Sequence, residues 1–138
     1  MDKVFIDTDV VLDFLTGREP FATDAARIFM LAERKKIFIC TSGLVFSNAY
    51  YILRKIAPHK KVIDKLKQLA EHVDIIGLSK SAVMNALGYD FNDFEDALQH
   101  FAARAENVKT IVTRNIKDYK HSDLAVLAPD QFLKIKML

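Results

Sequence analysis

Short apolar segments typical of strands alternate with amphipathic helical patterns along the whole chain, and this alternation constrains the fold most. Strands are predicted at residues 3–7, 37–40, 73–78, 109–113 and 125–127, with apolar residues at helical spacing between them. Connections of this kind join parallel strands and cover both faces of their sheet. The sequence therefore predicts a three-layer α/β/α sandwich whose central, mainly parallel sheet has four to five strands.

Residues with known capping preferences mark the ends of the predicted helices. Ser42 and Ser79 are suited to cap the helices that follow them, and Gly88 is suited to end one. Asn92 is the predicted cap of a helix that runs to about residue 105, and Pro129 opens a short C-terminal helix. No repeat or linker interrupts this order, so we expect one domain over residues 1–138.

Length and composition exclude several classes of protein. The 138 residues are 51% hydrophobic and 28% charged, with only 4 Gly and 3 Pro, which excludes a disordered or fibrous chain. No apolar run approaches the roughly 20 residues of a membrane span, and the first residues lack the pattern of a signal peptide. Cys40 is the single cysteine and cannot form an intramolecular disulfide. We expect a cytoplasmic protein with no membrane association.

The near balance of charge conceals a basic segment. The formal net charge is +2, yet Asp64 is the only acid between Arg54 and Lys67. Basic side chains cluster there at Arg54, Lys55, Lys60, Lys61, Lys65 and Lys67. The segment predicts a basic face that could contact phosphates, and a solvated helix surface is the alternative.

Polar residues follow the predicted strands where those strands end. Asp7 and Asp9 follow the first strand, and Thr113, Asn115 and Asp118 follow the fourth. Ligands of parallel sheets bind beyond the carboxyl ends of the strands, so these side chains are candidates for a site. Asp9 has an alternative role as the cap of a helix that begins at the next residue.

A second acidic pair, Asp93 and Asp96, is spaced to share one face of a helix's first turn. A favourable interaction with the helix dipole is an alternative explanation for an acid at Asp93. Asp96 is followed by Ala97 and Leu98 on the inward edge, where an unpaired carboxylate is costly without a cation. Converging acids bind hard cations such as Mg²⁺ or Mn²⁺, and two such ions can activate a water against a phosphodiester.

Three stretches of the chain together resemble PIN domains. They are residues 5–13 (FIDTDVVLD), residues 94–98 (FEDAL) and residues 111–119 (IVTRNIKDY). The resemblance covers essentially the whole chain and implies a Mg²⁺- or Mn²⁺-dependent ribonuclease, often the toxin of a bacterial toxin–antitoxin pair. It implies Asp7, Asp96 and Asp118 as catalytic metal ligands, with Asp93, Asn115 and Asn48 assisting them.

That resemblance also implies partners. They are an RNA substrate, an antitoxin protein and a second copy of the chain. Arg54, Lys55, Lys60 and Lys61 are then the candidates for contact with the RNA backbone.

The sequence departs from the PIN pattern at two positions. Asn48 stands where the family usually has a Glu, and it offers an amide oxygen without charge. Asn115 stands where the family often has its fourth acid, which leaves Asp118 as the substitute. These departures predict weaker metal binding.

Two alternative functions remain open at this stage. Asp7-Thr8-Asp9 also fits the opening of haloacid-dehalogenase-like phosphatases, in which the first Asp is a nucleophile and Thr41 and Ser42 would bind phosphate. A non-catalytic module that holds RNA or a protein is the other alternative, favoured by the missing Glu.

Overall fold

The computed structural model describes residues 2–91 and 93–136, which form a parallel sheet surrounded by helices. Its strands are β1 (Asp2–Ile6), β2 (Ile37–Ser42), β3 (Asp74–Ile76), β4 (Thr110–Val112) and β5 (Ala125–Leu127). Its α-helices are α1 (Thr8–Thr16), α2 (Ala22–Glu33), α3 (Gly43–Leu53), α4 (His59–His72), α5 (Lys80–Leu87), α6 (Phe94–Ala105) and α7 (Pro129–Lys136). The strand order is β3-β2-β1-β4-β5, and every pair is parallel. The predicted fold class is confirmed.

The central strand β1 fixes which strand ends meet. Val4, Phe5 and Ile6 are fully buried, because β1 has neighbours on both edges and helices over the sheet. Its register with β4 pairs Ile6 with Val112. The next residues, Asp7 and Thr113, therefore lie side by side where the two strands end.

The helices pack in two groups beside the sheet. Helix α1 contacts α2 and α3, α3 contacts α4, and α2 contacts α7. Helices α5 and α6 contact each other through a small cluster of Ala82, Ala86, Ala97 and Phe101. Among the described residues, no helix is both long and apolar enough to cross a bilayer.

Most predicted helix ends lie where the sequence indicated. Ser42 and Ser79 accept hydrogen bonds from backbone N–H groups of the helices they precede. Gly17 ends α1 with φ at 67°, a left-handed conformation that glycine adopts without strain. The predicted cap Asn92 lies outside the described residues, and Asp93 caps α6 by accepting from the N–H of Asp96.

The start expected for the first helix was wrong. Helix α1 begins at Thr8 and its cap is Asp7, so Asp9 lies within the first turn instead of preceding the helix. The residues after β4 include a 3-10 helix over Ile116–Tyr119. This turn carries Asp118 and buries Tyr119 beneath the carboxyl edge of the sheet.

Candidate functional site

Asp7 lies at the carboxyl edge of the sheet and accepts four hydrogen bonds. Its Oδ1 accepts from the Thr8 N–H at 2.8 Å and from Gln99 Nε2 at 3.1 Å. Its Oδ2 accepts from the hydroxyls of Thr113 at 2.9 Å and Tyr119 at 3.2 Å. The carboxylate is only 6% exposed, and these four donors fix its orientation.

Asp9 is held one residue further along by backbone N–H groups. Its Oδ1 accepts from Val10 and its Oδ2 from Arg114, at 2.8 and 2.9 Å. The Arg114 side chain binds Asp13, which is 1% exposed and also pairs with Arg18. Asp13 is thus a buried structural acid with two cations, and it anchors the segment after β4 against α1.

The first turn of α6 brings two more acids to this edge. Asp96 and Glu95 are both half-buried, and Gln99, one turn after Asp96, reaches Asp7 and the Tyr119 hydroxyl. Asn48 of α3 donates a hydrogen bond from Nδ2 to Glu95 Oε1. Helices that are distant in sequence therefore meet over the end of β1.

These residues line one open cleft of about 440 Å³. Its acids and amides are Asp7, Asp9, Glu95, Asp96, Asn48 and Asn115, and its other lining residues are Thr8, Leu12, Tyr51 and Ile52. Every potential metal ligand in this lining is therefore an oxygen. A second depression is lined by Phe21, Asp24, Arg114 and Asp130, and there the Arg114 guanidinium lies 3.9 Å from the centre of the Phe21 ring.

The cleft concentrates negative charge that the protein itself does not neutralise. Burial, followed by repulsion from Asp7, Asp93 and Asp118, raises the pKa of Asp96 to about 7. Burial and Asp7 raise the pKa of Asp9 to about 6, against its hydrogen bonds to backbone N–H groups. Burial also raises the pKa of Glu95, and Asp93 and Asp7 add to that effect. A cation in the cleft would relieve this repulsion.

A divalent ion fits the donor set, although the side chains do not form a closed cage. Within residues 2–91 and 93–136, no three His, Cys, Asp or Glu side chains are grouped as a ready-made metal site. Mg²⁺ does not require one, because it keeps several waters and binds through one or two carboxylates together with substrate phosphates. The Thr8 hydroxyl in the same cleft is buried and has no hydrogen-bond partner among the described residues.

The predicted site residues occupy different positions relative to the cleft. Asp7, Asp96, Asn48 and Asn115 line it. Asp118 lies outside the lining but near enough to Asp96 to raise its pKa. Asp93 is exposed and its Oδ1 caps α6.

The basic candidates lie outside the cleft lining. Arg54 and Lys55 follow α3, whose residues Tyr51 and Ile52 form part of the cleft. Lys60 and Lys61 lie in the first turn of α4. All four side chains are exposed.

Sequence reasoning missed several residues of the site. Tyr51 lines the cleft and is 69% exposed. Gln99 and Tyr119 bind Asp7 from α6 and the 3-10 helix. The spacing of Gln99 three residues after Asp96 was the one available signal, because residues at that interval share a helix face. Nothing local distinguished Glu95 from an ordinary surface acid.

The fold and its cleft define a class of protein: a parallel α/β sandwich with an acidic, oxygen-lined site at the carboxyl edge of the sheet. The family model described as PIN domain matches residues 3–117. The chain belongs to the PIN-domain family.

Comparison with individual proteins agrees with this assignment. The chain is 30% identical over 139 residues to Ribonuclease VapC1 of Aquifex aeolicus, covering 95% of this chain and 93% of the relative. A toxin–antitoxin complex from Klebsiella pneumoniae shares the fold with a TM-score of 0.69 and 18% identity, over 91% of this chain and 97% of that one. VapBC2 from Rickettsia felis, bound to a DNA fragment from its promoter, gives a TM-score of 0.67 at 21% identity, over 91% and 96% of the two chains.

Proposed function

We propose that this PIN-domain protein is a Mg²⁺- or Mn²⁺-dependent endoribonuclease that cleaves single-stranded RNA. The observation that carries the proposal is the oxygen-lined, acidic cleft at the end of β1, in a chain whose relative is named a ribonuclease. Carboxylate and amide oxygens are the ligands these hard cations prefer.

Asp7 and Asp96 are the principal metal ligands in this proposal. Hydrogen bonds from Thr113 and Gln99 hold Asp7 in place, so its carboxylate needs no reorganisation when a cation arrives. Asn115 offers an amide oxygen at the rim of the cleft, and Asp118 and Asp93 add negative charge nearby. When bound, the divalent ion would lower the pKa of a water and stabilise charge on the phosphodiester.

The surface around the cleft suits a single strand. Tyr51 presents an exposed ring on which a base can stack, and such stacking tolerates any base. Arg54, Lys55, Lys60 and Lys61 follow in sequence as exposed cations that can contact backbone phosphates. These contacts bind RNA without reading its sequence.

The phosphatase alternative is not favoured. Its phosphate-binding residues would be Thr41 and Ser42, but Thr41 is fully buried and donates to the Ile6 carbonyl at 3.0 Å, while Ser42 caps α3. Neither residue lines the cleft. The family match does not favour a phosphatase, and the named ribonuclease relative weighs against a purely binding role.

We further propose that the protein acts as the toxin of a toxin–antitoxin pair in the cytoplasm and forms a homodimer. Solved proteins of the same fold include a toxin–antitoxin complex.

RNA cleavage by the purified chain tests the proposed activity. Single-stranded RNA should be cut with Mn²⁺ or Mg²⁺ and left intact in EDTA, and Asp96→Asn should lower the rate by at least about a hundredfold. The matched control is Asp130→Asn, which removes an exposed acid of α7 that does not line the cleft. Equal cleavage by Asp96→Asn and the parent protein would identify a contaminating nuclease and overturn the proposal.

A further inference from the structure

The contact between Asn48 and Glu95 joins α3 to α6 across the cleft. Asn48 Nδ2 donates to Glu95 Oε1, and both residues line the cleft with Asp7 and Asp96. Because an ionised carboxylate only accepts hydrogen bonds, it must face the NH₂ side of the amide. The contact therefore fixes the orientation of Asn48 and restrains the rotamer of Glu95.

The inward position of Glu95 is not explained by helix stability alone. An acid in the first turn of a helix interacts favourably with the dipole wherever it points, and exposed Asp93 already supplies that charge. Glu95 is half-buried beside other acids, and no Lys, Arg or His lies within ion-pair distance of it among the described residues. A carboxylate in such surroundings is costly unless a cation joins it.

The position opposite Glu95 is the one at which the sequence lacks an expected charge. Asn48 is neutral, and a cleft that relied on α3 for a carboxylate would be one negative charge short. Glu95 supplies a carboxylate from α6 instead, in contact with the amide of Asn48. The pair thus carries a single negative charge, as one Glu on α3 would.

We propose that Glu95 is a metal-binding carboxylate of the cleft and that Asn48 is the positioning residue that holds it there. The inference rests on the proposed function, because it concerns the same divalent ion. It replaces the expectation of weak metal binding with a site whose third carboxylate comes from α6 instead of α3.

The proposal predicts a specific change in Mn²⁺ affinity when the two side chains are exchanged. Asn48→Glu alone would place two carboxylates in contact, so it should not tighten Mn²⁺ binding. Asn48→Glu combined with Glu95→Gln reverses the polarity of the same hydrogen bond and returns one charge to the pair. The exchange variant should therefore regain the Mn²⁺ affinity that Glu95→Gln alone loses.

The test is calorimetric titration of the full chain with Mn²⁺, with the paramagnetic resonance signal of free Mn²⁺ as a second readout. Glu95→Gln should weaken binding by about tenfold or more, Asn48→Ala should weaken it less, and the exchange variant should recover most of the loss. The matched control is Glu106→Gln at the far end of α6, which removes the same charge outside the cleft. Circular dichroism melting checks that each variant is folded.

The outcomes separate this inference from the proposed function. If Glu95→Gln binds Mn²⁺ as Glu106→Gln does while Asp96→Asn loses binding, Glu95 is only a surface acid and the metal site stands without it. If the folded exchange variant fails to regain affinity, the charge does not act through this pair and the inference fails. Absence of Mn²⁺ binding by the parent protein would overturn both proposals.

Discussion

Asp7 combines two tasks in one carboxylate. Its Oδ1 caps α1 through the Thr8 N–H, while Thr113 and Tyr119 hold Oδ2 from the other side of the β1–β4 boundary. Hydrogen bonds to a carboxylate are stronger than those between neutral groups, so these donors hold the Asp7 side chain firmly in one orientation. Burial, followed by repulsion from Asp7, raises the pKa of both Asp96 and Asp9 in the same cleft.

The raised pKa of Asp96 predicts a pH dependence of stability in EDTA. Because its pKa is about 7 in the folded protein and ordinarily 3.8, the folded state binds the proton more tightly than the unfolded state. The contribution of Asp96 to the free energy of unfolding is therefore most favourable below pH 4 and is lost as the pH rises through 7. The melting temperature of the parent protein relative to Asp96→Asn should therefore fall between pH 5 and pH 8.

The comparison with Asp96→Asn is necessary because His100 acts in the opposite direction. Burial lowers the pKa of His100, so the contribution of His100 to the free energy of unfolding is lost as the pH falls. Saturating Mn²⁺ should raise the melting temperature of the parent protein at pH 8 and leave that of Asp96→Asn unchanged. The reason is that a ligand stabilises only a folded state that binds it. A parent-minus-variant difference that is constant with pH would contradict the prediction.

At the level of elements, α6 is the helix on which the site depends most. Its first turn carries Glu95 and Asp96, its next turn carries Gln99, and Asp93 sets where it begins. The position of the cap therefore determines which side chains of α6 face the cleft. This dependence makes Asp93 important even if it never touches a metal ion.

Substitution of Asp93 distinguishes a helix cap from a metal ligand. Asp93→Ala should lower the free energy of unfolding by about 1 kcal/mol, while Asp93→Ser should retain most of the stability because serine also caps. We expect Asp93→Ser to bind Mn²⁺ nearly as the parent protein does. Urea unfolding and calorimetric titration measure the two effects, and a large loss of Mn²⁺ affinity in the stable Asp93→Ser variant would make Asp93 a ligand.

Across the whole molecule, the charges divide into an acidic cleft and a basic segment that follows α3. The net charge of +2 hides this division. In the proposed function, RNA would contact the basic segment while a bound cation offsets the negative charge of the acids. The affinity of the protein for RNA should then depend on salt.

Single-stranded RNA affinity should fall as salt rises, with a slope of log K against log salt of about −0.7 for each phosphate neutralised. Lys60→Glu with Lys61→Glu should make the slope shallower, because both exposed cations are removed. Lys36→Glu with Lys80→Glu changes the same net charge at exposed positions elsewhere. Fluorescence anisotropy across a salt series decides the matter, and equal slopes for the two double variants would exclude the basic segment as the RNA surface.

The sequence by itself determined the elements and the main acids. Strand and helix periodicity are local properties, and the strand order of a parallel sheet brings Asp7 and Thr113 to one edge once the register of β1 and β4 is set. Asp96 was also predictable, because its neighbours Ala97 and Leu98 mark the inward side of α6. Family resemblance in three stretches then gave the class of protein, which the PIN-domain match confirms.

Only the tertiary structure decided which other side chains reach the cleft. Glu95 and Asn48 are 47 residues apart, and their contact depends on how α6 and α3 pack, which no local pattern encodes. Tyr119 reaches Asp7 because the chain after β4 forms a 3-10 turn, and Tyr51 is exposed because its side of α3 faces the cleft. Periodicity shows which face of a helix is apolar. The partner of a polar side chain depends instead on how the helices pack, and many contacts between residues distant in sequence determine that packing.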